Sequence, residues 1–187
     1  MGCSQSCLND TEQQEIVLQD EHTLVVARTY WNGSTCGVFN EATKQIEWHD
    51  AWHRGVAGVY NPHTQQVEWR DEHLNYCVAG CYNPRTHKVE WRTNWNGGVA
   101  GVWNECTQQI EWRQAWHHGV GGVYNPRTRR VEWREFWNGG VAGYYDDAQD
   151  RVVWMEKWHH GVCIVHLDTK RGKYVTCCSN VTDWYSD

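Results

Sequence analysis

The sequence predicts an all-β protein built from tandem β-hairpins that form an elongated, twisted, single-layer antiparallel sheet or solenoid. The main observation is a tryptophan, mostly preceded by Val-Glu or Ile-Glu, that recurs every 21 or 22 residues at Trp48, Trp69, Trp91, Trp112, Trp133 and Trp154. A second set follows four residues later and comprises Trp52, Trp95, Trp116, Trp137 and Trp158. Self-similarity at this length is typical of an array of small supersecondary units.

Each copy reads as two strands joined by a turn. Residues 119–124 are short, β-branched and glycine-rich, and residues 125–128 (Asn-Pro-Arg-Thr) have the chemistry of a type I turn. In residues 130–134, Val and Trp alternate with Glu and Arg, which places the two kinds on opposite faces of a second strand. Each copy is therefore predicted to be a β-hairpin.

The repeat divides the chain into three parts. Residues 1–13 are predicted to be a flexible lipidation segment, residues 14–178 the repeat domain and residues 179–187 a tail. The domain holds about eight copies, and the first and last are degenerate, as expected where a terminal unit faces water. An alternative is closure into a four-bladed, propeller-like ring with two copies per blade. The copy at residues 73–76 breaks the alternation that this closure requires, so we favour the open array.

A recurring glycine explains how so many indoles can be packed. The predicted structural glycines are Gly58, Gly80, Gly101, Gly122 and Gly143. We infer that each indole lies over a glycine of the neighbouring strand, where a Cβ would hold it off. Glutamates before each Trp and arginines after it lie on the opposite face. We expect these two columns to pair with each other, each pair contributing well under ~1 kcal/mol.

The pattern aromatic-x-x-Gly-x-x-Gly-x-aromatic occurs at residues 95–103, 116–124 and 137–145. This pattern, followed by a turn and a strand with an apolar-x-aromatic end, resembles the MORN repeat from about residue 31 to residue 175. Val/Ile-Glu-Trp stands where that family has Tyr-x-Gly before its central Trp, and Asn-Pro replaces its Asp/Asn-Gly turn. The resemblance implies hairpins stacked into an elongated sheet, and scaffolding and membrane-apposed assembly rather than catalysis.

The N-terminus carries a lipidation motif. Met-Gly-Cys-Ser-Gln-Ser at residues 1–6 fits M-G-x-x-x-[ST], with Gly2 as the myristoylated residue. Because one myristate holds a protein only marginally on a membrane, Cys3 and Cys7 are candidates for palmitoylation. With no apolar run of ~20 residues and no secretory signal, we expect a peripheral, lipid-anchored protein at the cytoplasmic face of a membrane.

Several classes of function are disfavoured. The net charge is −6 and no basic run stands out, so nucleic acid is a poor candidate partner. No catalytic motif is present, and we predict neither an enzyme nor a cofactor. We also predict no metal site. The pairs His117-His118 and His159-His160 lie two copies apart, or roughly 19 Å in an open sheet, too far to share a zinc ion.

The first functional hypothesis is a non-enzymatic, lipid-anchored scaffold for protein–protein or membrane-apposed assembly. The two sets of tryptophans would form its binding face, covered by a protein partner or a second copy of the chain. The alternative is a lectin-like, carbohydrate-binding module, which requires exposed and separated indoles. A third possibility is a structural component of a larger assembly, such as a virion or a cytoskeletal or ciliary lattice.

Overall fold

In the computed structural model of the chain, the residues described are 14–19, 23–31, 33–52, 55–72, 76–137, 139–158, 160–168 and 173–179. These residues form sixteen β-strands connected by turns and short linkers. The strands are β1 (Gln14–Gln19), β2 (Thr23–Trp31), β3 (Gly33–Asn40), β4 (Gln45–Trp52), β5 (Gly55–Asn61), β6 (Gln66–Glu72), β7 (Tyr76–Asn83), β8 (Lys88–Trp95), β9 (Gly97–Asn104), β10 (Gln109–Trp116), β11 (His118–Asn125), β12 (Arg130–Trp137), β13 (Gly139–Asp146), β14 (Arg151–Trp158), β15 (His160–Asp168) and β16 (Lys173–Ser179).

The strands pair as antiparallel hairpins, which confirms the all-β class and the tandem hairpin repeat. Six hairpins, from β3/β4 to β13/β14, are separate two-stranded sheets. In β9/β10, which is representative, Gly101 lies opposite Trp112 and Gly97 lies opposite Trp116. The remaining strands form one four-stranded sheet in the order β1-β2-β15-β16.

In five of the six hairpins from β3/β4 to β13/β14, the turn is organised by the Asn that ends the first strand. The Asn125 Oδ1 accepts hydrogen bonds from the backbone N–H groups of Arg127 (2.9 Å) and Thr128 (3.1 Å), which confirms the turn chemistry predicted there. The fourth residue of the turn, Arg129, has a φ of 57°. A four-residue loop that ends in the left-handed region closes a hairpin without splaying its strands.

The first strands of the hairpins pack side by side and bury both of their faces. Neighbouring hairpins approach through β3, β5, β7, β9, β11 and β13 in sequence, with Cα atoms within 8 Å. The central valines of these strands are at most 4% exposed: Val38, Val56, Val78, Val99, Val120 and Val141. Strands buried on both faces are apolar throughout, which explains the continuous Gly-Val-Ala-Gly-Val runs.

The two ends of the array meet. Strand β2 pairs with β15 in antiparallel register, with Ala27 opposite Ile164. Strand β15 also lies against both β13 and β3, so the seven first strands, β3, β5, β7, β9, β11, β13 and β15, form a closed ring. Strand β2 pairs with β15 in the way that the second strand of each other hairpin pairs with its first strand. Strand β16 lies against β3, β9, β11 and β13 as well as β15, and therefore occupies the centre of the ring.

This arrangement is more specific than a continuous single-layer sheet. The ladder of hydrogen bonds stops at each hairpin, and neighbouring hairpins meet through side chains and through the backbone at glycines. At Gly55, an added Cβ would collide with the carbonyl oxygen of Tyr76 on the next first strand. At Gly98, it would collide with the carbonyl oxygen of His118. Glycine is therefore required where first strands approach each other this closely.

Candidate functional site

The tryptophans of the first set lie between hairpins, each over a glycine of its own hairpin. A Cβ built on Gly101 would lie 2.5 Å from Cζ3 of Trp112, which is closer than any real contact. The same relation holds for all the predicted structural glycines, Gly58, Gly80, Gly101, Gly122 and Gly143, and also for Gly37. The absence of a side chain is what lets the indole lie flat on the paired strand.

The other side of these indoles is covered by the preceding hairpin. The guanidinium carbon of Arg92 lies 4.8 Å from the ring centroid of Trp112, and that of Arg28 lies 5.3 Å from the ring centroid of Trp48. Trp69 packs against a cluster of buried residues that includes Val38 of the preceding hairpin. The first set, which comprises Trp48, Trp69, Trp91, Trp112, Trp133 and Trp154, is partly buried between hairpins. These indoles therefore act mainly in packing.

The second set lies at one edge of the ring, and its described members are exposed. Trp95, Trp116 and Trp137 end β8, β10 and β12 and are 45%, 57% and 52% exposed. The side chains of Trp52 and Trp158 lie outside the described part of the structure. We call this edge, where each second strand passes into the next hairpin, the linker edge. The opposite edge, which carries the Asn-capped turns, is the turn edge.

Ring contacts hold the aromatic side chains of the linker edge in place. The imidazole of His117 stacks on Trp116, with centroids 4.6 Å apart, and that of His118 meets Trp137 edge-on at 4.9 Å. Tyr76 meets Trp95 edge-on, also at 4.9 Å. These contacts order the indoles while leaving about half of each surface in water.

Two linkers in the described part of the chain are single residues in the left-handed region. Asn96 and His117 have φ angles of 48° and 54°, and the His117 N–H donates to the Asn96 carbonyl oxygen at 2.9 Å. This bond joins successive linkers. The positive φ explains why Asn and His occupy these two linkers, because both adopt a positive φ more readily than most residues.

A groove of about 940 Å³ opens at the linker edge between β10 and β12. Trp116 and Trp137 flank it, and Gln114 lies on its wall. Across it, Arg113 Nε contacts Glu135 Oε1 at 2.6 Å, and His118 Nδ1 lies 3.4 Å from the second oxygen of Glu135. The groove therefore combines aromatic faces with side chains that donate and accept hydrogen bonds.

The predicted pairing between the Glu and Arg columns is wrong. Each Glu instead accepts a hydrogen bond from the turn Asn of its own hairpin, as Glu111 does from Asn104 Nδ2 at 2.5 Å. The corresponding pairs are Asn40–Glu47, Asn61–Glu68, Asn83–Glu90 and Asn125–Glu132, at 2.5–2.7 Å. The register across the turn brings the two side chains together, so the Glu is already bonded within its own copy.

The basic column pairs with acidic residues of the next hairpin. Each of these acids lies two residues beyond the first-set Trp of its own hairpin. Arg113 contacts Glu135, and Arg134 contacts Glu156, both at 2.6 Å. Equivalent pairs are Arg28–Asp50 at 3.1 Å and His49–Asp71 at 3.0 Å. Sequence reasoning missed these acids because they recur less regularly than the Glu before each Trp.

Two titratable groups of the hairpins are poorly suited to proton transfer near neutral pH. Burial raises the pKa of the Cys81 thiol to about 12. The Tyr145 hydroxyl donates to Asp150, and this hydrogen bond, together with burial, raises the pKa of Tyr145 to about 12. Both groups remain protonated at physiological pH, since their pKa values lie far above it.

The remaining predictions concern lipidation, metal binding and membrane spans. The lipidation residues Gly2, Cys3 and Cys7, like His159, lie outside the described residues. Within the described part of the chain, no three His, Cys, Asp or Glu side chains gather in a way that could hold a metal ion. Over the same residues, no helix is long and apolar enough to cross a membrane.

Comparisons with protein-family models, curated proteins and solved structures found no match to this chain. The resemblance to the MORN repeat therefore stays a prediction that rests on the aromatic and glycine pattern alone.

Proposed function

We propose that this protein is a non-enzymatic, lipid-anchored repeat scaffold that mediates protein–protein or membrane-apposed assembly at the cytoplasmic face of a membrane. The observation that supports this proposal is the repetition of exposed groups at both edges of one ring. Indoles recur on three successive hairpins at the linker edge, and polar or charged turns recur at the other edge. A repeated group favours contact with an extended surface or several copies of a partner, because linked weak contacts reinforce one another.

The side chains within and between the hairpins are engaged in packing, hydrogen bonds and ion pairs. The first set of indoles covers glycines, the Glu column bonds the turn Asn, and the arginines at positions 113 and 134 bridge neighbouring hairpins. The groups left for partners are those of the two edges. A protein partner, or a second copy of the chain, is therefore expected to engage an edge rather than the sides of the hairpins.

Attachment to the membrane is assigned to the N-terminus. Myristoylation of Gly2 would supply a weak anchor, and palmitoylation of Cys3 or Cys7 would make it stable, because two acyl chains hold far longer than one. The scaffold would then concentrate its partners at the membrane surface.

Intact mass and cell fractionation of the full-length protein, expressed in its own cell type, test this proposal. We expect wild type to carry the mass of an acyl chain and to sediment with membranes. Gly2→Ala should lack that mass and become soluble. Gln5→Ala, which changes an unrestricted position of the motif, should behave like wild type. A wild-type protein with a free or merely acetylated N-terminus would refute the lipid anchor.

The second candidate function is a carbohydrate-binding module, and the groove between β10 and β12 favours it. Trp116 and Trp137 offer aromatic faces for sugar rings, and Gln114, Arg113 and Glu135 offer hydrogen-bonding groups nearby. Glycan-array screening together with tryptophan fluorescence quenching would test it. A saccharide that quenches wild type and loses its affinity for the Trp116→Ser/Trp137→Ser variant would favour this function over the scaffold.

A further inference from the structure

We propose that the linker edge is a bilayer-contact surface, with the indoles of Trp95, Trp116 and Trp137 inserted into the lipid–water interface. This inference deepens the proposed function and rests on it for the N-terminal acyl chain. It assigns an orientation to the ring: the linker edge faces the membrane, and the turn edge faces the cytoplasm and the protein partners.

The distribution of apolar surface is the first argument. Six large apolar side chains are exposed among the described residues, and four of them, Tyr76, Trp95, Trp116 and Trp137, lie at the linker edge. The other two, Ile16 and Val17, lie on β1. The described turns, in contrast, expose no large apolar side chain, and they carry charges such as Arg85 and Arg127. One edge of the ring is therefore suited to an apolar contact and the other to water.

The exposed groups are suited to the lipid–water interface of a membrane and less suited to a fully apolar partner surface. Indole and phenol rings have an apolar body and one polar atom, and they are enriched where lipid headgroups meet acyl chains. The histidines beside them are polar and can remain among headgroups. A deep apolar pocket of a protein would leave these imidazoles and the Asn96 linker without water.

The groove at this edge holds no cluster of basic groups. Glu135 contacts both Arg113 and His118, and Glu111 also lines the groove, so the groove between the indoles has no excess of positive charge. The whole chain carries a net charge of −6. An excess of anionic lipid should therefore not strengthen binding, because attraction to such lipid requires clustered Lys or Arg. The contact therefore depends on the indoles, and a zwitterionic bilayer is sufficient for it.

The path of the chain brings the acylation site to the same edge. Strand β2 runs toward the linker edge and ends there at Trp31. The first residue of β1, Gln14, lies opposite Arg28 of β2. Three residues of strand, or roughly 10 Å, separate this point from the end of β2. Gly2 precedes Gln14 by 12 residues, which span at most about 40 Å when extended. An acyl chain on Gly2 can therefore enter the membrane that the indoles contact.

The decisive experiment measures binding of the full-length protein to phosphatidylcholine vesicles. The protein is prepared with and without N-myristoylation. Co-sedimentation gives the partition coefficient, and quenching by phosphatidylcholine brominated on its acyl chains reports indole insertion. The test variant is Trp95→Ser/Trp116→Ser/Trp137→Ser. Its matched control, Arg85→Ser/Glu105→Ser/Arg127→Ser, places three serines at the turn edge of the same hairpins.

We expect the tryptophan variant to lose at least about tenfold in partitioning, whether or not the protein is acylated, because indole burial and the acyl chain contribute separately. The turn-edge control should stay within about twofold of wild type. Quenching by the brominated lipid should be clear for wild type and much weaker for the tryptophan variant. Thermal unfolding of each variant verifies that the ring is intact, and a single Trp116→Ser variant replaces the triple one if it is not.

Each other outcome has a definite meaning. If the acylated protein binds but its indoles are not quenched, or the tryptophan variant binds like wild type, the linker edge does not contact the bilayer and the lipid anchor alone survives. If native Gly2 is unmodified but the unacylated protein still binds through its tryptophans, the anchor fails and this inference stands. If binding requires a glycolipid and free sugar competes with it, the edge is a saccharide site and this inference is overturned.

Discussion

At the scale of single residues, the hydrogen bond between the turn Asn and the Glu seven residues later is a structural unit of the repeat. The β13/β14 hairpin lacks both partners of this hydrogen bond. Asp146, which has no amide to donate, replaces the Asn, and Val153 replaces the Glu that would have accepted. Asp146 still accepts from the backbone N–H groups of Ala148 and Gln149, at 2.9 and 3.1 Å. With Val153 in place of the Glu, the last hairpin avoids placing two carboxylates at this site.

Asn125→Asp should therefore destabilise the protein, because it places a second carboxylate against Glu132. We expect a loss of about 1–3 kcal/mol in the free energy of unfolding at pH 7, the usual effect of breaking a charge-assisted bond. The loss should shrink as the pH falls toward 4, since protonation of either carboxyl group relieves the repulsion. The double variant Asn125→Asp/Glu132→Val, which copies the last hairpin, should recover most of the stability. Urea unfolding at several pH values checks this prediction, and a pH-independent loss would contradict it.

The packing of Trp112 over Gly101 gives a second prediction at this scale. Gly101→Ala should cost about 1–3 kcal/mol, because the added Cβ would force the indole and its neighbours to move. Trp112 supplies the three nearest atoms to that Cβ, at 2.5, 2.7 and 2.9 Å. In a Trp112→Val background, the same Gly101→Ala substitution should be much less costly. A double-mutant cycle by chemical denaturation measures the coupling, and additive effects would mean that the steric argument is mistaken.

At the scale of the element, the hairpin was predictable and the contacts between hairpins were only partly so. Strand alternation and the Asn-Pro turn predicted each hairpin, and the spacing of Gly and Trp predicted that indoles cover glycines. The partner of the Glu column was mispredicted because the prediction assumed one continuous sheet, whereas the ladder of hydrogen bonds stops at each hairpin. A four-residue turn aligns Asn104 and Glu111 within one hairpin, and no sequence period reveals that local register.

Two basic residues lack the acid that their counterparts contact on the next hairpin. Arg70 would meet Thr93 and instead bonds Glu72 at 2.9 Å, and Arg92 would meet Gln114 and instead lies over Trp112. The regular pairs, such as Arg134–Glu156, are partly exposed. These bridges therefore adjust the fit between hairpins and do not hold the ring together, because exposed ion pairs contribute little.

Gln114→Glu should supply the missing acid for Arg92. We expect a gain of roughly 0.5 kcal/mol, which corresponds to a rise in Tm of about 1–2 °C for a chain of this size. The gain should vanish in ~1 M salt, where the Debye length falls to about 3 Å. In an Arg92→Gln background, the substitution should give no gain. Calorimetry at low and high salt checks this prediction, and a gain that persists without Arg92 would refute the pairing.

At the scale of the whole molecule, ring closure is the feature that the sequence offered only as an alternative to the open array, and then with four blades. The 21-residue period determines what each copy is but not the angle between successive copies. That angle depends on backbone contacts at glycines such as Gly55 and Gly98 and on the valines between them. Closure turns the degenerate first and last copies into partners, since β2 completes the ladder of β15. It also curves the edge that carries the exposed indoles, on which both functional proposals depend.

The most direct test of the closed ring is a disulfide between β2 and β15. Leu24 and Leu167 are opposite each other in the β2–β15 ladder. Opposed residues of antiparallel strands have Cα atoms about 4.5–5.5 Å apart, within the range that a disulfide spans. Leu24→Cys/Leu167→Cys should therefore form an intramolecular bond on mild oxidation, identified by mass spectrometry of the linked peptides with fragment ions that exclude Cys3, Cys7 and Cys163. Leu24→Cys/Val99→Cys should form none. Absence of the 24–167 bond in the folded monomer, or its appearance only between molecules, would contradict the closed ring.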